Sequence, residues 1–225
     1  MEDLLLRALD LLLTIPTVLV ALSFHECAHA FVANKLGDST AKSLGRLTLN
    51  PMKHIDVIGA LCMMLCGFGW AKPVPVDMRQ FKNPKGGMAI TALAGPFVNL
   101  LLGFFGAFVL ALSISLIPNT VNSNLAYWLI TIWLTFVKYF GILNIYLAIF
   151  NLIPLPPFDG SRILSAFLSD KYYIKLMQYE RQIALGFFLV LFADSRFFGG
   201  YISDALSSVV YWVFNGFISL FNLFL

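Results

Sequence analysis

The sequence predicts an all-α polytopic membrane protein with about five transmembrane helices, one re-entrant or surface segment, and small β-strands on the cytoplasmic side. Three observations predict it. First, 59% of the 225 residues are hydrophobic and 12% are charged, whereas a soluble domain carries roughly 25% charged residues. Second, apolar windows of about 20 residues recur, the length a helix needs to cross a hydrocarbon core of about 30 Å. Third, Lys and Arg are gathered between particular windows, as they are in cytoplasmic loops.

The first window covers 11–33. Met1-Glu2-Asp3 is acidic and no small-residue cleavage site precedes His25, so this window reads as a retained helix and not as a secretory signal. Residues 36–51 and 70–76 hold short Thr, Leu and Val stretches broken by Gly and Pro, which predicts the small strands. Segment 55–70 is short, has Asp56 at its start and contains Gly59, Gly67 and Gly69, so it reads as re-entrant or surface-lying. Spans at 88–117 and 127–150 follow, then 183–192 with its flanks and 201–225.

Charge sets the orientation. Lys35, Lys42, Arg46 and Lys53 follow the first span, Lys72, Arg79, Lys82 and Lys85 precede the second, and Arg162, Lys171, Lys175 and Arg181 follow the third; loop 118–126 has no charge. If 55–70 does not cross, all three clusters share one side, which makes that side the cytoplasm and puts the N-terminus outside, in a plasma-membrane protein. These loops account for the net charge of +3, so no nucleic-acid partner is implied. Cys27, Cys62 and Cys66 fit no CxxC spacing and sit in apolar stretches, where they read as small hydrophobes without disulfides. With no internal repeat and no low-complexity tract, 1–225 reads as a single membrane-embedded domain, its core over about 11–168 and further helices over about 180–225.

Inside the first span stands Phe24-His25-Glu26-Cys27-Ala28-His29. Ionisable groups cost roughly 2.5–3.5 kcal/mol each at the centre of a spanning helix, so they persist where they perform a task. Positions i and i+4 share a helix face, so His25 and His29 can present two nitrogens to one metal with Glu26 beside it. The alternative is a buried polar cluster satisfied by a neighbouring helix. A hydrolytic zinc site needs a third protein ligand and an open position. Asn151-Leu152-Ile153-Pro154-Leu155-Pro156-Pro157-Phe158-Asp159-Gly160 is the candidate source, because its prolines break the helix and Asp159 emerges at the break. Asp159 also reads as an N-cap for a helix over 161–168, although a cap explains neither the three prolines nor the Asn.

HExxH in a transmembrane helix followed by NxxPxPPxDG resembles the site-2 protease family of intramembrane zinc metalloproteases, in its short bacterial branch without PDZ or CBS domains. Gly95-Pro96-Phe97-Val98-Asn99 matches that family's GPxxN, and Arg46-Leu47-Thr48-Leu49-Asn50-Pro51, His54-Ile55-Asp56 and Ala71-Lys72-Pro73-Val74-Pro75-Val76 are also similar to it. The resemblance covers about 23–165. It implies that His25, His29 and Asp159 hold one zinc ion per chain, that Glu26 is the general base, and that Asn151 steadies the scissile carbonyl or oxyanion. Asn99 would either hold a substrate strand or bond between helices, and His54 would be either a further metal-site imidazole or a surface group.

The resemblance also implies regulated intramembrane proteolysis of single-pass membrane-protein substrates in the lipid bilayer, cut near the cytoplasmic side and controlled by a membrane partner. The stretch 65–75 would offer a strand edge to the unwound substrate. Two rival readings are a divalent-metal transporter, since His and Asp within spans also mark ion paths, and an inactive scaffold of the same fold. Lys138, in the middle of the third span, belongs to no motif and stays unassigned.

Overall fold

A computed structural model describes residues 2–56, 71–118 and 123–225, with side chains from Asp10 onward. Its helices are α1 (Glu2–Lys35), α2 (Thr40–Ser43), α3 (Pro84–Leu116), α4 (Asn124–Asn151), α5 (Asp159–Ser165), α6 (Asp170–Gln178), α7 (Glu180–Phe197) and α8 (Tyr201–Phe221), with 3₁₀ turns at Pro51–Lys53 and Met78–Gln80. Local chemistry starts the long helices where they start. Asn83 accepts from the Gly86 N–H with Pro84 in the first turn of α3, and Ser123 accepts from the Ala126 N–H at the head of α4.

Helix α3 is the axis of the molecule and packs against α1, α4, α5 and α8. Ala107 and Leu110 of α3, Val137 and Ile145 of α4, and Val210 and Phe214 of α8 form the apolar core. Large apolar side chains such as Leu101, Phe105, Trp128 and Trp212 face outward, as they do where the solvent is lipid. At one end, Lys85 pairs with Asp170 at 2.6 Å and donates to the Leu168 carbonyl at 2.8 Å, tying the basic head of α3 to the segment after α4.

Two expectations are corrected. Among the described residues, four helices are long and apolar enough to cross a membrane: Asp10–Lys35 within α1, then α3, α4 and α8. Helix α7 covers the remaining expected span but carries Glu180, Arg181, Asp194 and Arg196. Its uncharged apolar stretch, 183–193, rises only about 16 Å, half of a hydrocarbon core. The expected strands are also absent among the described residues, where a single antiparallel bridge joins Ile55 to Ala71. Residues 40–43 form α2 instead, and 72–77 run beside the site outside any helix or strand, with several of their backbone groups bonded to side chains and loops. The expected re-entrant stretch falls mostly on 57–70, outside the described residues, as do Cys62 and Cys66.

Candidate metal centre

Two turns of α1 carry the imidazoles, and the helix break after α4 brings the carboxylate to them. His25 Nε2 and His29 Nε2 lie 3.0 Å apart, and Asp159 Oδ2 lies 3.1 Å from the first and 3.3 Å from the second. Both imidazoles are buried. His25, His29 and Asp159 form the one group of three or more such donors able to share a metal ion among the described residues.

The donor chemistry fits a cation. His29 Nδ1 donates to the Thr91 carbonyl at 2.7 Å, which leaves Nε2 as a lone pair. His25 Nδ1 faces Asn99 Oδ1 at 2.5 Å, which does the same for its own Nε2. Asp159 Oδ2 is buried and has no hydrogen-bond partner among the described residues. Three donor atoms, two imidazole nitrogens and a carboxylate oxygen, therefore converge within 3.0–3.3 Å of one another, close enough to share a single cation. Tetrahedral zinc with arms of about 2.0–2.2 Å sets its ligand atoms roughly 3.3–3.6 Å apart. The edges here lie at or just inside that spacing.

Two glycines make the approach possible. A Cβ at Gly95 would stand 2.5 Å from His25 Cε1 and from His29 Nε2, so only a bare backbone lets α3 pass this close to the imidazoles. A Cβ at Gly160 would stand 2.4 Å from the Leu152 and Ile153 carbonyls, so glycine also lets α5 fold back against the Pro-broken segment. Phe158 is the N-cap residue of α5 and Asp159 is its first helical residue, so the carboxylate is aimed at the imidazoles and is not a cap.

Glu26 is buried beside this group, and its Oε2 accepts the Val74 N–H at 2.9 Å. Val74 belongs to an extended strap clamped at both ends. Arg46 Nη2 donates to the Lys72 and Pro73 carbonyls at 2.5 and 3.3 Å, the Lys72 N–H goes to the His54 carbonyl at 2.8 Å, and the Asp77 N–H goes to Asp38 Oδ2 at 2.7 Å. Hydrogen bonds from Arg79 hold the Asp77 carboxyl down at about 2. The contribution of that pair is therefore complete above the ordinary carboxylate range and is lost only as pH falls through about 2. Strap, imidazoles and helix break line one cavity of about 660 Å³, with Glu26, Val74, Asn151, Phe158, Asp159 and Arg162 among its walls.

Asn151 lines that cavity and donates one N–H to the Leu147 carbonyl at 3.0 Å, leaving its second N–H for another acceptor. Asn99 is not at the cavity wall but is completely buried behind His25. His54 is placed elsewhere: it is neither a surface group nor part of the metal group, but is buried with Nε2 donating to the Thr48 carbonyl at 2.8 Å, where it braces the strap. Lys138 is exposed on α4.

Sequence reasoning missed the Val74 N–H, the Arg46 clamp and a buried asparagine, Asn144, that bonds to Asn99 at 2.8 Å. Signals for two of them existed. Val74 has the only N–H in Pro73-Val74-Pro75, and Asn144 precedes Asn151 by two helical turns on one face of an apolar span.

Comparison with known proteins agrees with this chemistry. The profile of peptidase family M50 matches residues 13–193. The chain is 42% identical over 180 residues to a Bacillus subtilis protein named "Putative zinc metalloprotease YwhC", covering 78% of each. It is 29% identical over 201 residues to the Mycobacterium tuberculosis protein named likewise Rip2, covering 88% of this chain and 71% of that one. It is 31% identical over 174 residues to zinc metalloprotease MJ0392 of Methanocaldococcus jannaschii, covering 76% of this chain and 39% of that longer protein. No solved structure matches significantly.

Proposed function

Since the chain belongs to peptidase family M50, the site-2 protease family of zinc metalloproteases, we infer that it is an intramembrane endopeptidase that cuts single-pass membrane proteins within or near their transmembrane segments. The observation that carries this reading is the convergence of His25, His29 and Asp159 on one point in a multi-helix membrane protein, with Glu26 beside it. His25, His29 and Asp159 would hold one zinc ion per chain. Zinc bound there supplies the Lewis acid that turns water into a nucleophile near neutral pH.

The chain's own groups do the rest. Glu26, held through Oε2 by Val74, keeps Oε1 free to take the proton of the attacking water and pass it to the leaving amine. Asn151 turns its free N–H toward the developing oxyanion as a neutral, fixed donor. The substrate must be extended, because a helix buries its carbonyls in i to i+4 bonds. Among the described residues the Val74 carbonyl and the Val76 N–H have no partner, so the strap offers an edge for an unwound substrate strand.

The Lys85–Asp170 pair supports placing the basic segments at one membrane face, which the positive-inside rule makes the cytoplasm. The site then opens toward the cytoplasm of a plasma-membrane protein, and a membrane partner controls access to it. The test is reconstitution of the purified protein with a single-pass substrate, native against Glu26→Gln. Cleavage should fall by about 10²–10⁴-fold while zinc is retained. Undiminished cleavage by the variant, or none by the native protein with zinc bound, overturns the reading.

A further inference from the structure

Behind the imidazoles, away from the cavity, three helices are joined by a run of buried amides. Asn99 of α3 and Asn144 of α4 are both completely inaccessible. Asn144 Nδ2 donates to the Phe140 carbonyl at 2.8 Å. Asn99 Nδ2 donates to Asn144 Oδ1 at 2.8 Å and to the Ala21 carbonyl of α1 at 3.2 Å. Asn99 Oδ1 faces His25 Nδ1 at 2.5 Å.

The direction of every bond in this run follows from its fixed end. A backbone carbonyl can only accept, so Asn144 must present its NH₂ to Phe140 and its oxygen to Asn99. Asn99 must then turn its NH₂ toward Asn144 and Ala21, which leaves its oxygen to face His25. That oxygen carries no hydrogen, so the shared proton belongs to His25 Nδ1, and Nε2 is left as a lone pair aimed at Asp159 and His29. Turning Asn144 over would set oxygen against the Phe140 carbonyl and NH₂ against NH₂. In a buried site such groups go unsatisfied, which disfavours the flipped arrangement.

We propose that Asn144 is a positioning residue of the metal centre: acting through Asn99, it fixes which nitrogen of His25 carries the proton and so keeps Nε2 ready to bind zinc. This rests on the assignment of His25 as a zinc ligand. His29 needs no such relay, because its Nδ1 donates directly to the Thr91 carbonyl. The two imidazoles are thus oriented by different means, and only His25 depends on the packing of α4. A pair of asparagines can also serve as simple interhelical glue. Glue would affect stability alone, whereas a relay must show itself in the metal affinity and in the tautomer of His25.

The experiment uses the full chain in detergent or nanodiscs, stripped of metal and titrated with Zn²⁺ against a chromophoric chelator. Partners one step behind a metal ligand change affinity about 10–100-fold, and Asn144 stands one step further back, so Asn144→Leu should weaken zinc binding by about tenfold. Asn144→Asp, kept neutral in so buried a place, donates its O–H to the Phe140 carbonyl, keeps an oxygen toward Asn99 and should restore affinity to within about threefold of the native value. On metal-free, ¹⁵N-histidine-labelled protein, His25 should report Nδ1–H in the native chain and a mixture of tautomers in Asn144→Leu. If Asn144→Leu does not fold, Asn144→Ala takes its place with the same expectations.

Native zinc affinity with an unchanged His25 tautomer in the folded Leu or Ala variant overturns the inference, as does an Asp variant no better than the Leu one. His25→Ala separates this failure from failure of the ligand assignment. If it binds zinc like the native chain, the assignment itself is wrong; if it loses zinc while Asn144→Leu does not, only the relay is wrong.

Discussion

Val74 donates the single N–H of Pro73-Val74-Pro75 to Glu26 Oε2 over 2.9 Å, so the backbone of a surface strap orients the carboxylate assigned as general base. Proline on either side keeps the strap extended and leaves no competing donor. Val74→Pro should lower kcat by about tenfold, the effect of losing a charge-assisted bond of about 1.5 kcal/mol, with zinc content unchanged. Val74→Ala keeps the N–H and should retain native kcat. Steady-state kinetics on both variants, with zinc measured by elemental analysis, checks this.

Gly95→Ala should abolish zinc binding, although alanine is the better helix former by about 1 kcal/mol. The added methyl would stand 2.5 Å from both imidazoles and force them off the converging geometry. A zinc-to-protein ratio near that of the native chain would contradict the packing described for α1 and α3.

Arg46 holds the strap by donating from one nitrogen, Nη2, to two backbone carbonyls, a nitrogen placed by a flat, rigid guanidinium that lysine's flexible stem does not replace. Arg46→Lys and Arg46→Ala should both raise KM several-fold for a transmembrane substrate and leave zinc affinity unaltered. Equal KM values in all three proteins would show that the strap does not take part in substrate binding.

Removing the metal should destabilise the protein, because an ion held by His25, His29 and Asp159 ties α1 to the head of α5 and binds only the folded chain. Zinc at about a thousandfold excess over its Kd adds about 4 kcal/mol of stability by linkage. Chelator should therefore lower Tm in the native chain and leave Tm unchanged in Asp159→Asn, which has already lost the ligand. Thermal unfolding with and without chelator decides it.

Lys138 is exposed on α4 and has neither an ion pair nor a hydrogen bond among the described residues. Lys138→Leu should leave cleavage and zinc content at native levels. A clear loss of cleavage would place this position in substrate or partner contact.

Much of the architecture was legible because it depends on local periodicity. Three of the expected spans coincide with α1, α3 and α4, and the 201–225 window with α8, since length and hydropathy alone decide whether a helix can cross. The 183–192 window misled because its short apolar run sits between charges in a helix that is long enough but not apolar enough. The expected strands are not formed among the described residues, where Ala71 makes a single bridge to Ile55 and residues 72–77 are bound by Arg46, His54 and Asp38 instead.

By itself the sequence determined the pairing of His25 with His29, because a rise of 1.5 Å and a turn of 3.6 residues put i and i+4 on one face in any helix. It also determined that the chain must break before Asp159, because prolines cannot continue a helix. Only the tertiary structure decided which nitrogen each imidazole offers, which backbone N–H holds Glu26, and why residue 95 must lack a side chain. Those features join positions 48 to 74 apart in the chain, and contacts at that separation depend on how helices cross and on their register, which no local spacing encodes.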